Sequence, residues 1–238
     1  MSKAAAIKRV LNKDIKEVIH QKLNDLGIYI HFDEDNILKA KAMIVGPKGT
    51  LYESGFLFFN IHFPNNYPFS PPDLSYISRN NIRIHPNLYV GHHSSGKGKV
   101  CLSILGTWSG PKWTSIMDIT TILMTIQSLL DNDPLHHEPG QEKNNGTSNR
   151  LYNEVIRYEN INTLLIKNFT DPPDGFHIFY EDMKNEIIRM DKMRVNKELL
   201  DKIQINKGFN VINIPIYRIK LTTDYETLLK KYESIIDI

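Results

Sequence analysis

Residues 63–74 read FPNNYPFSPPDL, a stretch holding four prolines. Each proline fixes φ and removes a backbone donor, so this segment excludes both helix and central strand and predicts a rigid loop or sheet edge. The segments on either side must be arranged around it. FLFFNIHF (56–63) is rich in aromatics and predicts a strand leading into the loop, and DLSYIS predicts a strand leading out of it. Upstream, IYIHF (28–32) and ILKAKAMIV (37–45) flank the polar turn DEDN and predict a hairpin, after which GPKGT punctuates the chain. At the N-terminus Ile7, Val10, Leu11, Ile15, Val18, Ile19 and Leu23 recur at helical steps, with Lys8, Arg9, Lys13, Lys16 and Lys22 opposite. The implied order is a helix followed by an antiparallel meander of four strands, an α+β architecture.

Residues 80–112 show no strong period and several loop-forming glycines. Asp118 then predicts the cap of an amphipathic helix running to Leu130, ended by DNDPLHHEPG. A polar QEKNNGTSN segment follows, then a helical pattern over 151–169 that DPPDG breaks. A charged helix is expected over about 178–203, an extended segment at FNVINIPIYRIKL, and a last helix capped by Asp224. This C-terminal stretch carries no chemical motif.

Cys101 is the only cysteine among 238 residues, which rules out an internal disulfide and predicts a reducing compartment, cytoplasmic or nuclear rather than secreted. The segment MSKAAAIKRVLNKD holds no long apolar run and predicts no secretion signal, and no stretch approaches membrane-spanning length. A net charge of +2, from 29 basic and 27 acidic residues, provides no broad basic field and so predicts no nucleic-acid partner. Cys101 itself has three readings. VCLSIL looks like a buried segment, and free cysteine is often a core residue. Zinc would need a Cys and His set, yet His85, His92, His93, His136 and His137 match no ligand spacing, so no metal is expected. As a nucleophile, a thiolate is well suited to attack carbonyls.

The motifs GPKGTLYESG (46–55), FPNNYPFSPP (63–72), HPN (85–87) and KVCLSIL (99–105), in that order before an amphipathic helix, closely resemble the ubiquitin-conjugating enzymes. CLSILGTWSGPKW, IQSLL and HHEPG resemble in particular the large, extended members of that family and the conjugating domains of very large hybrid conjugating–ligating proteins. The resemblance implies the ubiquitin-conjugating fold: a four-stranded antiparallel meander flanked by helices, with a catalytic core over 5–169 and a helical C-terminal extension over 170–238. It implies an acyltransferase that takes ubiquitin from an activating enzyme as a thioester on Cys101 and passes it to a lysine amine or a ligase cysteine. ATP would be consumed by the activating enzyme, with no cofactor bound here.

By the same resemblance Asn87 donates to the oxyanion or orders the nearby loop, and His85 and Pro86 hold its turn. His137 or Glu138, with Asp133 behind them, would deliver or deprotonate the acceptor amine. Phe63 and Pro64, with Trp113 and the residues to Ile116, match the loops that meet ligases. Lys8, Arg9 and the neighbouring first-helix lysines match the face that meets the activating enzyme. The sequence departs from the family in three places. Asn87 and Cys101 are farther apart than usual because of extra residues within 90–98, Ser103 stands where an acidic residue or Asn is usual, and Ser115 replaces a proline. Two other readings share the fold: carriage of a different ubiquitin-like modifier, and a catalytically silent binding module, which usually lacks the cysteine.

Overall fold

A computed structural model describes residues 2–91, 96–206 and 209–236. Helix α1 (Lys3–Arg9) runs on through a π-helical turn (Val10–Asp14) into α2 (Ile15–His20). The meander follows as β1 (Ile28–Phe32), β2 (Lys39–Val45), β3 (Phe56–His62) and β4 (Asp73–Ile77). All neighbours pair antiparallel. The region without a readable period adds a fifth short strand, β5 (Lys97–Lys99), paired with β4. Helix α3 (Ile119–Leu129) starts where expected, with the Asp118 carboxylate accepting from the Thr120 and Thr121 amides.

Side-chain alternation divides the sheet into two buried faces. Ala40, Ala42 and Ile44 of β2 and Leu57, Phe59 and Ile61 of β3 join a core with Val10, Ile119, Ile122 and Leu123. Met43, Val45, Phe56 and Phe58 point the other way, into a second core built with the C-terminal part of the chain. An antiparallel sheet commonly leaves one face to water, and the usual signature is a polar residue at every second position. β3 lacks that alternation: residues 56–59 are all buried. Leu11 and Ile19, expected on the apolar face of the first helix, are 46% and 71% exposed instead.

The C-terminal part begins with a helix longer than the expected 151–169. It comprises α4 (Thr147–Glu159), a π-helical segment (Asn160–Lys167) and α5 (Asn168–Thr170). Its amides reach the sheet side, where Asn160 Nδ2 donates to Glu53 O at 2.8 Å and Asn168 Nδ2 to Phe56 O at 2.7 Å. The single charged helix expected next is two, α6 (Tyr180–Arg189) and α7 (Lys192–Asn206). Met190 turns extended between them, and the Asp191 carboxylate caps the second by accepting from the Arg194 amide at 3.0 Å. The extended segment is a hairpin, β6 (Phe209–Ile214) and β7 (Ile219–Asp224), and α8 (Tyr225–Ile236) closes the chain. Phe176, Phe179 and Met183 press on Phe58 and Met43 of the sheet, with Leu199, Leu228 and Tyr232 behind them. The expected extension is therefore helical with one hairpin, and it is packed against the meander.

Candidate active site

Cys101 follows directly on a strand-like pairing. Leu88 bridges Val100, and the Tyr89 amide donates to Lys99 O at 3.0 Å. These contacts close the 90–98 excursion back on itself, within which residues 92–95, including His92 and His93, lie outside the described residues. The close approach needs Gly98: a Cβ there would sit 1.7 Å from Tyr89 O. As a result the long separation between Asn87 and Cys101 is spanned by a reciprocal pair of bonds. The Cys101 amide donates to Asn87 O at 2.8 Å, and Asn87 Nδ2 donates to Cys101 O at 2.7 Å. Cys101 is 2% exposed in this arrangement.

His85 is fully buried and both ring nitrogens are engaged. Nδ1 accepts from the Asn87 amide at 3.0 Å, so Nε2 carries the proton and donates to Leu129 O at 3.0 Å. Burial, with the nearby His137 adding to it, pushes its pKa down to about 3. This imidazole is a neutral strut between the 85–87 turn and the end of α3, with no nitrogen left for proton transfer. Pro86 contributes its carbonyl, which accepts from the Arg83 guanidinium. Tyr52 of the GPKGTLYESG motif donates to Ile84 O at 2.6 Å and fixes the entry to the same turn.

On the other side of Cys101, the Thr107 hydroxyl donates to Val100 O at 2.8 Å and accepts from the Leu102 amide at 2.9 Å. It thereby holds the chain on both sides of the cysteine, a role that local polarity in CLSILGTW did not reveal. Ser103 opens the 3₁₀ turn Ser103–Leu105, and its carbonyl accepts from the Gly106 amide at 2.9 Å.

His137 and Glu138 lie on or beside the turn Pro134–His137 that follows α3. The His137 ring is 5.1 Å from the His85 ring, which brings the two loops together, and His137 Nε2 is 2.8 Å from Asp131 Oδ2. Burial, the largest single influence, would raise the Asp131 carboxyl, but the His137 bond, the Asp133 amide and the charges of His137 and His85 together outweigh it and hold Asp131 below the usual carboxylate range. Glu138 is partly exposed and accepts a hydrogen bond from the Tyr217 hydroxyl of the C-terminal hairpin. Asp133 is exposed and lies 3.4 Å from Asn149 Nδ2, its carboxylate turned toward α4. Among the described residues no group of three or more His, Cys, Asp or Glu is placed to hold a metal ion.

The surface residues require two corrections. Phe63, expected to face a ligase, is fully buried, with its ring 5.0 Å from Tyr67 and 6.2 Å from Phe32. Its aromatic character serves the core; the exposed apolar groups of these two loops are Phe69 and Ile116, at 64% and 77%. Pro64 is half-buried, and so is Trp113, whose Nε1 donates to Pro68 O at 2.6 Å and ties the loops together. Arg9 is not a free docking group, because its guanidinium donates to Met117 O at 2.7 Å and Ser115 O at 3.3 Å. Lys13 likewise donates to Ile116 O at 3.0 Å, while Lys8 is exposed. Beneath them the buried Asp14 accepts from Tyr67 Oη at 2.5 Å and from the Ile119 amide at 2.9 Å, a junction of three elements that no sequence motif announces.

The sequence is similar to known proteins over much of its length. The ubiquitin-conjugating enzyme family profile matches residues 10–159. The chain is 42% identical over 139 residues to ubiquitin-conjugating enzyme E2 Z of Xenopus tropicalis, covering 57% of this chain and 42% of that protein. It is 37% identical over 182 residues to probable ubiquitin-conjugating enzyme E2 25 of Arabidopsis thaliana, covering 72% of this chain and 27% of that protein. It is 34% identical over 162 residues to the human dual E2 ubiquitin-conjugating enzyme/E3 ubiquitin-protein ligase BIRC6, covering 63% of this chain and 3% of that protein. The matched part of the chain thus spans less than half the length of these relatives. No described helix is long and apolar enough to cross a membrane. With the profile covering more than half of the chain and the meander, the 85–87 turn and Cys101 in one arrangement, the chain belongs to the ubiquitin-conjugating enzyme family.

Proposed function

We propose that this chain accepts ubiquitin from an activating enzyme as a thioester on Cys101 and transfers it to a lysine amine or a ligase cysteine. The observation that carries this reading is the reciprocal Asn87–Cys101 pairing, which ties the side-chain amide of the turn to the backbone of the chain's single cysteine although the two are 14 positions apart. Exchange of one thioester for another needs no strong base. Aminolysis is harder, because the reference lysine pKa is about 10.4 and the neutral amine is scarce near neutrality. Its attack on the thioester carbonyl forms a C–N bond and an oxyanion. The amine proton then leaves toward Glu138 or solvent, and the C–S bond breaks with its electron pair returning to Cys101 as thiolate. Asn87 Nδ2 has two N–H groups; one holds Cys101 O, which leaves the other for the oxyanion. Cys101 is covered at rest, so loading follows a local opening of the loops around it.

In this reading residues 5–169 are the catalytic core and 170–238 an extension, and the resemblance of the CLSILGTWSGPKW segment supports membership among the extended members of the family. Lys8, Phe69 and Ile116 are the accessible groups on the surfaces assigned to the activating enzyme and the ligase. No cofactor is held here, ATP is consumed by the activating enzyme, and the single free thiol suits a reducing compartment. The test is incubation with ubiquitin, ATP and an activating enzyme, followed by gels with and without reducing agent. A thiol-sensitive band one ubiquitin heavier, absent in Cys101→Ala, supports the reading. Folded protein that charges with another modifier, or with none, overturns it.

A further inference from the structure

Tyr217 lies in the turn between β6 and β7 at φ 60°, and Arg218 follows at φ 53°. Left-handed backbone at successive non-glycine residues carries a steric penalty, and such strain persists only where surrounding contacts hold it. Here the contacts converge on the candidate active site. The Tyr217 hydroxyl donates to Glu138 Oε2 at 2.5 Å. Its ring centroid is 4.5 Å from Arg83 Cζ, and the same guanidinium lies 3.6 Å from the ring centroid of Tyr89. Tyr152, 5.7 Å from the Tyr217 ring, donates to Arg83 O at 2.7 Å. Arg83 in turn donates to Pro86 O, inside the 85–87 turn. One tail side chain therefore grips both loops that meet at the His85–His137 contact, the 134–138 turn through Glu138 and the 85–87 turn through Arg83. Burial, and then the bond to Glu138, raise the Tyr217 pKa, so the hydroxyl stays protonated and acts as the donor.

A residue that merely packed the tail onto the core would need the ring alone. The hydroxyl occupies one oxygen of the Glu138 carboxylate and leaves the other open in a fixed direction. We infer that Tyr217 is a positioning residue for transfer to amines: it holds Glu138 toward the acceptor and steadies the 85–87 turn through Arg83, so that the C-terminal hairpin completes the active site. This rests on the carrier role proposed for Cys101. The reacting bonds are those already given, and Tyr217 neither gains nor loses a proton.

The experiment uses the full chain, charged with ubiquitin and then quenched of ATP, so that discharge is read independently of loading. Discharge is followed onto free lysine and onto hydroxylamine, an amine already neutral near pH 7, for wild type, Tyr217→Phe, Glu138→Gln and the double variant. The expected result is that Tyr217→Phe slows lysine discharge about five- to tenfold, the size of a lost charge-assisted contact to a proton acceptor. Hydroxylamine discharge changes much less, and the loss disappears in the Glu138→Gln background, as it must if Tyr217 acts through Glu138. A wild-type lysine rate in Tyr217→Phe overturns the inference. So does a faster one, which would make the hairpin an obstruction, and so does equal slowing toward both amines, which would make Tyr217 a structural contact only. Should Tyr217→Phe fail to fold, Glu138→Gln alone must still separate lysine from hydroxylamine, and its failure to do so overturns the inference equally. Wild type that never charges would defeat the carrier reading itself, a result separate from any pattern among the variants.

Discussion

The 85–87 turn and the loop after α3 meet where the His85 and His137 rings lie 5.1 Å apart, yet they are held by different means. The turn is fixed from inside the core. His85 is buried, its nitrogens bind the Asn87 amide and Leu129 O, and Asn87 exchanges bonds with the Cys101 backbone. The loop sinks Leu135 into the core, but the polar contacts that hold its other side chains lie at the surface. His137 pairs with a part-exposed Asp131, and Glu138 is held by a tyrosine 79 residues away. Buried polar contacts are costly to break because the group left behind has no water to turn to. Half-exposed contacts can be exchanged for water at little cost. The difference suits a site in which one wall must keep its shape while the other admits incoming acceptors.

The largest effect tests whether both walls serve Cys101 at all. Cys101→Ala abolishes the thiol-sensitive charged species on gels, and Cys101→Ser forms a slower oxyester that resists reducing agent. Next comes the rigid wall's chemistry. Asn87→Ala still charges, but single-turnover discharge onto lysine falls on the order of a hundredfold, the scale for losing an oxyanion donor; an unchanged rate would remove Asn87 from the transfer step. The two walls then separate in stability. His85→Ala strands the Asn87 amide and Leu129 O and is expected to cost about 2–3 kcal/mol in urea unfolding, whereas His137→Ala costs under about 1 kcal/mol. Equal losses would erase the comparison drawn here.

The smallest effect is a pH dependence. Unfolded His85 titrates near the reference value of about 6.5, while the folded chain refuses the proton down to about pH 3. Below pH 6.5 the unfolded state binds more protons, so stability falls as pH is lowered through that window. His85→Gln should lose less stability over the same interval when melting is compared at pH 7 and pH 4.5.

The parts of this arrangement legible in the sequence were those set by neighbouring residues. The strands around FPNNYPFSPP, the Asp118 and Asp224 caps and the HPN and CLSIL segments each announce themselves within a few positions. The Asn87–Cys101 pairing was harder, since it depends on how 90–98 folds back and on the room that Gly98 leaves. The tail's share of the site was not legible. Tyr217 sits in a segment that reads as plain extended chain, and nothing local ties it to Glu138 or Arg83. Phe63 and Arg9 are engaged inside the chain for a related reason. An aromatic and a cation both suit an interface by composition, and only packing reveals that one fills the core and the other braces carbonyls of residues 115 and 117.

The double-sided burial of β3 has a consequence for how such a chain can change over time. Phe56 and Phe58 are buried in the second core, where the rings of Phe176 and Phe179 from the tail meet Phe58. A lineage that shed the tail in one step would present a bare aromatic stripe to water, with self-association as the first result. A lineage that acquired it on a sheet with a polar outer face would gain nothing to grip. Strand and tail therefore stand or fall together, and the unbroken run FLFF is where a sheet buried on both faces shows itself, Leu57 and Phe59 turned to one core and Phe56 and Phe58 to the other.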